Sequence, residues 1–556
     1  MQPPVFAARM SSNLDPEEDQ PVQRGERSLW FDGEIYNRED LWTRLQRPAG
    51  TDSELVLALM DGDTPDHSDL REIDGQFCAV LHDAAAQRLH LITDRYGLRP
   101  LYWSRQADRL LWSSEVKAFP QFPGFPVTLD RAALQEFFGI GYLLEDRTWL
   151  EAVKLLPAAC VMTWDLRLQR LDQNSYWSFR EIPRLMGRPD LPALAERMGE
   201  LFVAAVERRC RSGEQIGLTL SGGLDSRAVL AAIPKSFDPI HAVTFGQRGC
   251  ADIRIAARAA RRRGALHHAF EIDTHNWLPP RVEGGWALDG HLNLMHMHSI
   301  HLRGWAERFF RINLHPFAGD MILGGSYLTE PQLDRAPAEV WPQLLDSLRR
   351  CNTLYDPAAL SEQVEQVASG YETTDTFWLA NRVRRFTLNG PMCLEPALVD
   401  RKPTFDNALM EFALGLPQEL RFEGRIYHAM LLRFFPDYYR SIPWQKTGLP
   451  IAAGPIRQRI QRRIDWGHAL LQSRYPNAAR RFGVRHYSDY DGWTSTDPAR
   501  TELKELLLHP DARWPQYLSP HAGRRLIDNH FAGSKLDSEG LLLLATFELL
   551  LHRLFP

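Results

Sequence analysis

Leu218-Thr219-Leu220-Ser221-Gly222-Gly223-Leu224-Asp225-Ser226 opens as a buried strand, breaks into a glycine-rich turn and runs on into a helix-like stretch. Two glycines let the backbone approach a polyanion closely, the N–H groups of the turn and helix start face phosphate oxygens, and the helix dipole adds positive potential. The segment therefore reads as a cradle for a nucleotide pyrophosphate, with Ser221, Gly222, Gly223 and Ser226 as donors. Asp225 inside such a nest repels phosphate unless it holds a cation, which implies Mg²⁺. A pair of glycines alone would mark only a chain reversal; the whole hexad between strand and helix is specific.

Working outward, strands are expected over 216–220, 240–245 and 309–314, with helices over 194–209 and 252–263. Such alternation predicts a parallel sheet with helical crossovers, which sets the glycine turn at the carboxyl ends of the strands where open α/β sheets bind ligands. Upstream the chain is β-rich, with short runs over 29–35, 75–81, 89–93, 101–104, 110–113 and 159–164 and one helix over 53–60. A proline-containing stretch over 182–192 separates the two patterns, so the expected domains are 1–190 and 191–556. From about residue 361 helical periodicity dominates, and the basic run 457–463 reads as a solvated helix face.

Composition sets outer bounds. At 556 residues the chain exceeds one ordinary core and suggests about two to four domains. A net charge of −5 gives no electrostatic case for nucleic acid or an anionic membrane as partner. No stretch approaches the roughly 18 apolar residues that span a bilayer, and the start lacks a charged region followed by an apolar core, so a cytoplasmic protein is expected. Cys78, Cys160, Cys210, Cys250, Cys351 and Cys393 are scattered without zinc-site spacing and read as reduced thiols.

Several further segments stand in one order with the hexad: Phe31-Asp32-Gly33-Glu34-Ile35-Tyr36-Asn37, Thr51-Asp52-Ser53-Glu54, Asp94-Arg95-Tyr96-Gly97-Leu98-Arg99-Pro100-Leu101-Tyr102 and Ser114-Glu115-Val116-Lys117-Ala118. Beyond it come Gly319-Asp320 with Leu323-Gly324-Gly325, Arg401-Lys402-Pro403-Thr404-Phe405-Asp406 and Pro443-Trp444-Gln445-Lys446-Thr447-Gly448. Over roughly residues 29 to 450 this resembles the asparagine synthetase family. The resemblance implies an α+β N-terminal αββα domain of the Ntn-hydrolase type. An α/β parallel-sheet ATP-pyrophosphatase domain, like the adenine nucleotide α-hydrolases and with a helical C-terminal part, would follow it. It implies ATP as cofactor, activation of a carboxylate as an acyl-adenylate, and displacement of AMP by a nitrogen nucleophile.

The departures sharpen that expectation. Glutamine-hydrolysing members place a cysteine after the initiator Met, where the freed α-amine serves the thiol as base; this sequence has Gln2. Those enzymes also use an Asn as oxyanion-hole donor where Asp32 stands, and an ionised carboxylate cannot donate. The Arg-Gly-Pro-Asp glutamine clamp is missing, and only about thirty residues precede Phe31. The N-terminal domain is thus expected to be catalytically silent, and the amine to arrive on a substrate.

Two branches of the family fit a lost glutaminase, the β-lactam synthetases and the lasso peptide cyclases. The β-lactam branch uses a Tyr just before the second metal-binding Asp, and Phe317 aligns with it without a proton to relay, which favours the macrolactam branch. By resemblance, Asp225 and Asp320 bind Mg²⁺, Lys446 supplies catalytic charge, and Gly319 adjoins the nucleotide. Leu218, Val243 and Phe245 would lie against adenine. Asp252 either reaches the nucleotide or caps its helix; His315, Glu395 and the His296/His298 pair are candidate bases, and the substrate pocket is sought over 286–300 and 381–402. Expected partners are a precursor peptide, a leader-binding protein and a leader peptidase. An ammonia-dependent amidotransferase and a silent scaffold are the alternatives.

Overall fold

The computed structural model describes residues 20–61, 67–107, 109–185, 187, 190–349, 354–395, 397–454, 456–457, 460–461, 464 and 486–555. Gln2, Cys351 and most of the basic run 457–463 lie outside these. The chain forms two compact units, one of residues up to 133 with 143–183, the other of 134–142 with 184 onward.

In the first unit, strands β1 (Val22–Arg24), β2 (Arg27–Ile35), β3 (Gly75–Asp83), β4 (Arg88–Thr93), β8 (Cys160–Asp165) and β9 (Arg170–Ser175) form one antiparallel sheet in the order β1-β2-β3-β4-β8-β9. Strands β5 (Tyr102–Gln106), β6 (Arg109–Ser113) and β7 (Lys154–Leu155) make a smaller sheet ordered β6-β5-β7. β3 is buried along almost its whole length, as a strand covered on both faces must be. Helices α1 (Arg38–Arg44) and α2 (Asp52–Leu59) follow β2, and α2 starts on a capping box in which Thr51 and Glu54 satisfy each other's backbone N–H. Gly33 is required in β2: its φ is +146° and a Cβ there would sit 2.1 Å from the Gln76 carbonyl oxygen.

The Asp94–Tyr102 segment proves to be a structural turn wound around one anion. The Asp94 carboxylate accepts N–H bonds from Phe77 (3.1 Å), Tyr96 (2.9 Å), Leu98 (2.9 Å) and Arg99 (3.2 Å). Asp32 stands opposite Cys78 in the β2–β3 register. Burial, and then the Asp32 charge, push the Cys78 thiol well up, so it stays protonated and is no substitute nucleophile.

His90 on β4 is 8% exposed and shares a hydrogen bond of 2.9 Å with Thr163 Oγ1. Burial, and then the neighbouring His67, lower its pKa to about 4. Because the folded state disfavours the proton that the unfolded chain takes up near pH 6.5, stability is full above that value and falls as pH drops toward 4. The shift corresponds to about 3 kcal/mol at most. His90→Gln should flatten this acid limb in urea titrations between pH 6.5 and 4.5; an unchanged slope contradicts the assignment.

The second unit is built on β10 (Ile216–Thr219), β11 (His241–Gly246), β12 (Leu266–Glu271), β13 (Ile312–Leu314) and β14 (Val399–Arg401), all parallel, in the order β12-β11-β10-β13-β14. The strand expected over 309–314 is therefore only its last three residues, and β14 interrupts the helical C-terminal half. Helix α3 (Arg131–Ile140) enters this unit from residue 134, and α4 (Leu191–Arg208), α5 (Asp225–Ala232) and α6 (Ala251–Arg263) follow. Phe138 meets Phe547 edge-on at 5.6 Å, Tyr142 lies 5.7 Å from Phe386, and Leu360 packs so close to Gly139 that a Cβ there would be 2.4 Å from it.

The Arg401–Asp406 segment is likewise structural. Arg401 grips Glu214 with two nitrogens (2.5 and 2.6 Å) and donates to the Arg209 carbonyl at 2.8 Å. Asp406 pairs with Arg208 and Arg209 while capping helix Asn407–Gly415. Among the described residues, Cys78, Cys160, Cys210, Cys250 and Cys393 form no disulfide. No helix among the described residues is long and apolar enough to cross a membrane.

Candidate active site

β10 has β11 and β12 on one side and β13 and β14 on the other, so the strand order reverses between β10 and β13. A crevice opens at such a point at the strands' carboxyl ends. Asp225 begins α5 after β10, and Asp320 lies in helix Gly319–Ile322 after β13. The Asp320 N–H donates to Asp225 Oδ2 at 3.1 Å, and the Tyr427 hydroxyl donates to Oδ1 at 2.6 Å. Gly319 permits this approach, since a Cβ there would meet Asp225 atoms at 3.2 to 3.4 Å.

Burial, and then the Asp320 charge, raise the Asp225 pKa to about 7. Two carboxylates held this way call for a cation. Among the described residues no group of three or more His, Cys, Asp or Glu side chains converges. An ion bound here takes its remaining ligands from phosphate and water, which suits Mg²⁺.

The turn itself is internally satisfied. Ser221 N–H donates to Ser226 Oγ (3.0 Å), Gly223 N–H to Ser221 Oγ (3.1 Å) and Gly222 N–H to Asp252 Oδ1 (2.8 Å). A phosphate binding here would have to exchange these bonds for its own rather than fill an open set of donors. Asp252 is not the cap of α6, a position taken by Cys250; it reaches across to the turn, 8% exposed, with Oδ2 lacking a hydrogen-bond partner and its pKa raised by burial.

The loop that carries Lys446 is tied to the turn through its neighbour Gln445. Gln445 N–H donates to the Gly222 carbonyl at 3.1 Å, and a Cβ on Gly222 would be 2.8 Å from Gln445 Cβ. Buried Arg227 bridges the same two segments, donating to Gly223 O at 2.6 Å and Ile442 O at 3.3 Å. Lys446 is exposed, with Nζ 5.4 Å from the Trp444 ring centre. Its charge, after burial, lowers the His428 pKa.

Ser221, Gly222, Gly223, Asp225, Ser226, Gly319 and Asp320 thus come together, and the Lys446 loop is tied to them. Leu218 and Val243 are 0% exposed; Val243 packs with Leu302, Phe310, Leu394 and Leu398, and its carbonyl accepts the Leu220 N–H at 2.8 Å. Phe245 is half-buried at the end of β11. His298 bonds Tyr490 (3.0 Å) and Tyr487 (3.1 Å), burial holding it neutral, while His296 faces Glu539 at 3.4 Å.

Tyr427 and the Arg421–Asp375 pair are functional supports with no motif to announce them. Arg421 is 0% exposed and binds both Asp375 oxygens (3.0 and 2.5 Å) while donating to the Ile322 carbonyl at 3.3 Å. It thereby anchors the short helix that presents Asp320. Tyr327 and Gln418 complete the Asp375 shell.

Comparison with known proteins meets this geometry from another side. A glutamine amidotransferase domain family matches residues 6–177, and an asparagine synthase family matches residues 197–441. The putative asparagine synthetase (glutamine-hydrolyzing) 2 of Methanocaldococcus jannaschii is 24% identical over 340 residues, 58% of this chain and 63% of that protein. Asparagine synthetase (glutamine-hydrolyzing) 3 of Bacillus subtilis is 27% identical over 38% of this chain and 36% of its own length. The Mus musculus asparagine synthetase (glutamine-hydrolyzing) is 27% identical over 43% of each chain. The matches therefore span 36 to 63% of the length of these relatives.

Proposed function

We propose that this chain, which matches a glutamine amidotransferase domain family and an asparagine synthase family in turn, is an ATP-dependent, AMP-forming carbon–nitrogen ligase that adenylates a side-chain carboxylate and joins it to an amine. The observation that carries this reading is the Asp225–Asp320 pair across the sheet's switch point, a repulsive arrangement that Mg²⁺ and a pyrophosphate would resolve. Asp225 and Asp320 would hold the ion, which neutralises charge on the leaving pyrophosphate. Ser221, Ser226 and the start of α5 orient the phosphates, and Lys446 places a fixed positive charge beside them.

We further propose that the product is a macrolactam and the enzyme a cytoplasmic lasso peptide cyclase. Its partners would be a precursor peptide, a leader-binding protein and a leader peptidase, without nucleic acid or membrane. Supporting this, Asp32 replaces an amide donor and Cys78 beside it is an inert buried thiol. Phe317 is buried and stacked on Phe405 at 5.3 Å, filling with carbon the place where a β-lactam-forming relay needs a hydroxyl. The test is incubation with Mg·ATP, the proposed partner proteins and a leader-trimmed precursor peptide. AMP, pyrophosphate and a product lighter by one water support the reading, and an unchanged precursor mass defeats it. The relatives' names, asparagine synthetase (glutamine-hydrolyzing), support the amide-forming part of a second reading; with the glutaminase residues replaced here, that reading is an ammonia-dependent amidotransferase, for which ATP turnover rises with ammonium and needs no peptide.

Lys446→Ala is expected to lower turnover about a hundredfold or more while changing Mg·ATP affinity less than about threefold, because a fixed charge acts on the transition state. Equal losses in turnover and nucleotide affinity would assign Lys446 to ground-state binding instead.

A further inference from the structure

Arg227, on the first turn of α5, is 0% exposed and has no carboxylate within ion-pair distance among the described residues. Arg209, Arg401 and Arg421 are buried as deeply, and each grips one: Asp406, Glu214 and Asp375. Arg227 donates to carbonyls instead, Nε to Gly223 at 2.6 Å and Nη1 to Ile442 at 3.3 Å and Tyr438 at 3.5 Å, while its Nη2 is buried without a hydrogen-bond partner. The acid on its own helix, Asp225, is engaged by Tyr427 and the Asp320 N–H.

A guanidinium stranded in this way is costly to bury for packing alone. Its bond to Gly223 supplies a reason. In a planar trans peptide the carbonyl and the N–H point in opposite directions. Three successive carbonyls of the turn are held by donors from outside it: Gly222 O by the Gln445 N–H (3.1 Å), Gly223 O by Arg227, and Leu224 O by the Tyr439 hydroxyl (2.6 Å). The N–H groups of those same peptide units belong to Gly223, Leu224 and Asp225, so they face away from the three donors. The Gly223 N–H rests on Ser221 Oγ, whereas those of Leu224 and Asp225 have no partner among the described residues.

We propose that Arg227 is a positioning residue for the pyrophosphate: it fixes the Gly223–Leu224 peptide so that the Leu224 N–H is presented to a phosphate oxygen, and the phosphates supply the negative charge that the buried guanidinium lacks. This rests on the ligase reading and deepens it. The bond to Gly223 O is short and charge-assisted, so it polarises the peptide and strengthens its N–H as a donor. Away from water the cation also attracts the phosphates directly, across the thickness of the turn.

Two substitutions separate the hydrogen bond from the charge. Arg227→Gln sets an amide nitrogen as many bonds from the backbone as the arginine Nε, so it keeps a donor for Gly223 O and loses the cation. Arg227→Lys keeps the cation and gives up the planar fork that reaches Ile442 and Tyr438.

Calorimetric titration of the full-length protein with AMP, Mg·ADP, Mg·ATP and magnesium pyrophosphate tests this. Arg227→Gln should bind Mg·ATP and pyrophosphate about tenfold or more weakly than wild type, with AMP changed less than about threefold and Mg·ADP between them, because the loss follows the charge of the ligand. Arg227→Lys should recover most of that loss. A residue that only holds the neighbouring loop would weaken all of these ligands alike and would not be rescued by lysine. That outcome, or pyrophosphate affinity in Arg227→Gln within about threefold of wild type, overturns the proposal. If Arg227→Gln does not fold, Arg227→Met takes its place under the same criteria, with a larger loss expected because bond and charge go together. Wild-type protein that binds none of the ligands defeats the ligase reading and this proposal with it, whereas equal binding by wild type and variant defeats this proposal alone.

Discussion

Asp225→Asn should raise the melting temperature of the ligand-free protein and abolish the stabilisation that Mg·ATP gives the wild type. Asn keeps an acceptor for the Asp320 N–H and turns its amide N–H₂ toward the Tyr427 oxygen, so the local hydrogen bonds survive. What disappears is the repulsion that, after burial, holds the Asp225 pKa at about 7. Relief of a like-charge contact of this kind is on the order of 1–2 kcal/mol. Against that gain, wild type in about hundredfold excess of ligand over its dissociation constant gains about 2.7 kcal/mol, and the variant should gain none. Differential scanning fluorimetry with and without Mg·ATP reads both. A variant less stable than wild type without ligand, or one that keeps its nucleotide shift, would show that Asp225 is a packing residue.

Asp375→Ala should cost about 3–5 kcal/mol, because it strands the Arg421 guanidinium in a fully buried position. Arg421 also holds the Ile322 carbonyl, so the helix carrying Asp320 loses its anchor and nucleotide binding weakens with it. Asp375→Leu combined with Arg421→Met should recover most of the stability in urea titrations, since no lone charge is left behind. The Ile322 carbonyl still lacks its donor there, so nucleotide affinity should stay depressed. A single Asp375→Ala variant that loses less than about 1 kcal/mol would remove Arg421 from this role.

What could be read from the residues divides along a physical line. β10 and the turn after it were legible because an apolar run, two glycines and a helix start are contiguous and each leaves a local signature. β12 was not: His267 and His268 sit in the middle of it and break the apolar alternation. In the folded sheet they are accommodated by partners from β11, His267 against Thr244 and His268 stacked on His241. β14 is three residues long and carries Asp400 and Arg401, whose burial is compensated by Asn313 and Glu214. Asp320 and Lys446 were found through resemblance, whereas Tyr427, 202 residues from Asp225 along the chain, has no local pattern to mark it. Asp252 stayed open between reaching the nucleotide and capping its own helix, because a carboxylate in a first helical turn looks the same whether it serves its own helix or another loop; the fold removes the cap alternative and turns the carboxylate to the Gly222 N–H.

Residues 134–142 lend the second unit aromatic side chains from a stretch of sequence that the first unit surrounds on both sides. The gene therefore cannot be divided cleanly by one scission: a truncation starting at residue 184 would uncover Phe547 and Phe386 and leave Leu360 facing an empty slot. Swapping the N-terminal portion between homologues meets the same obstacle, and a working chimera would have to carry this nine-residue plug from the recipient's own sequence.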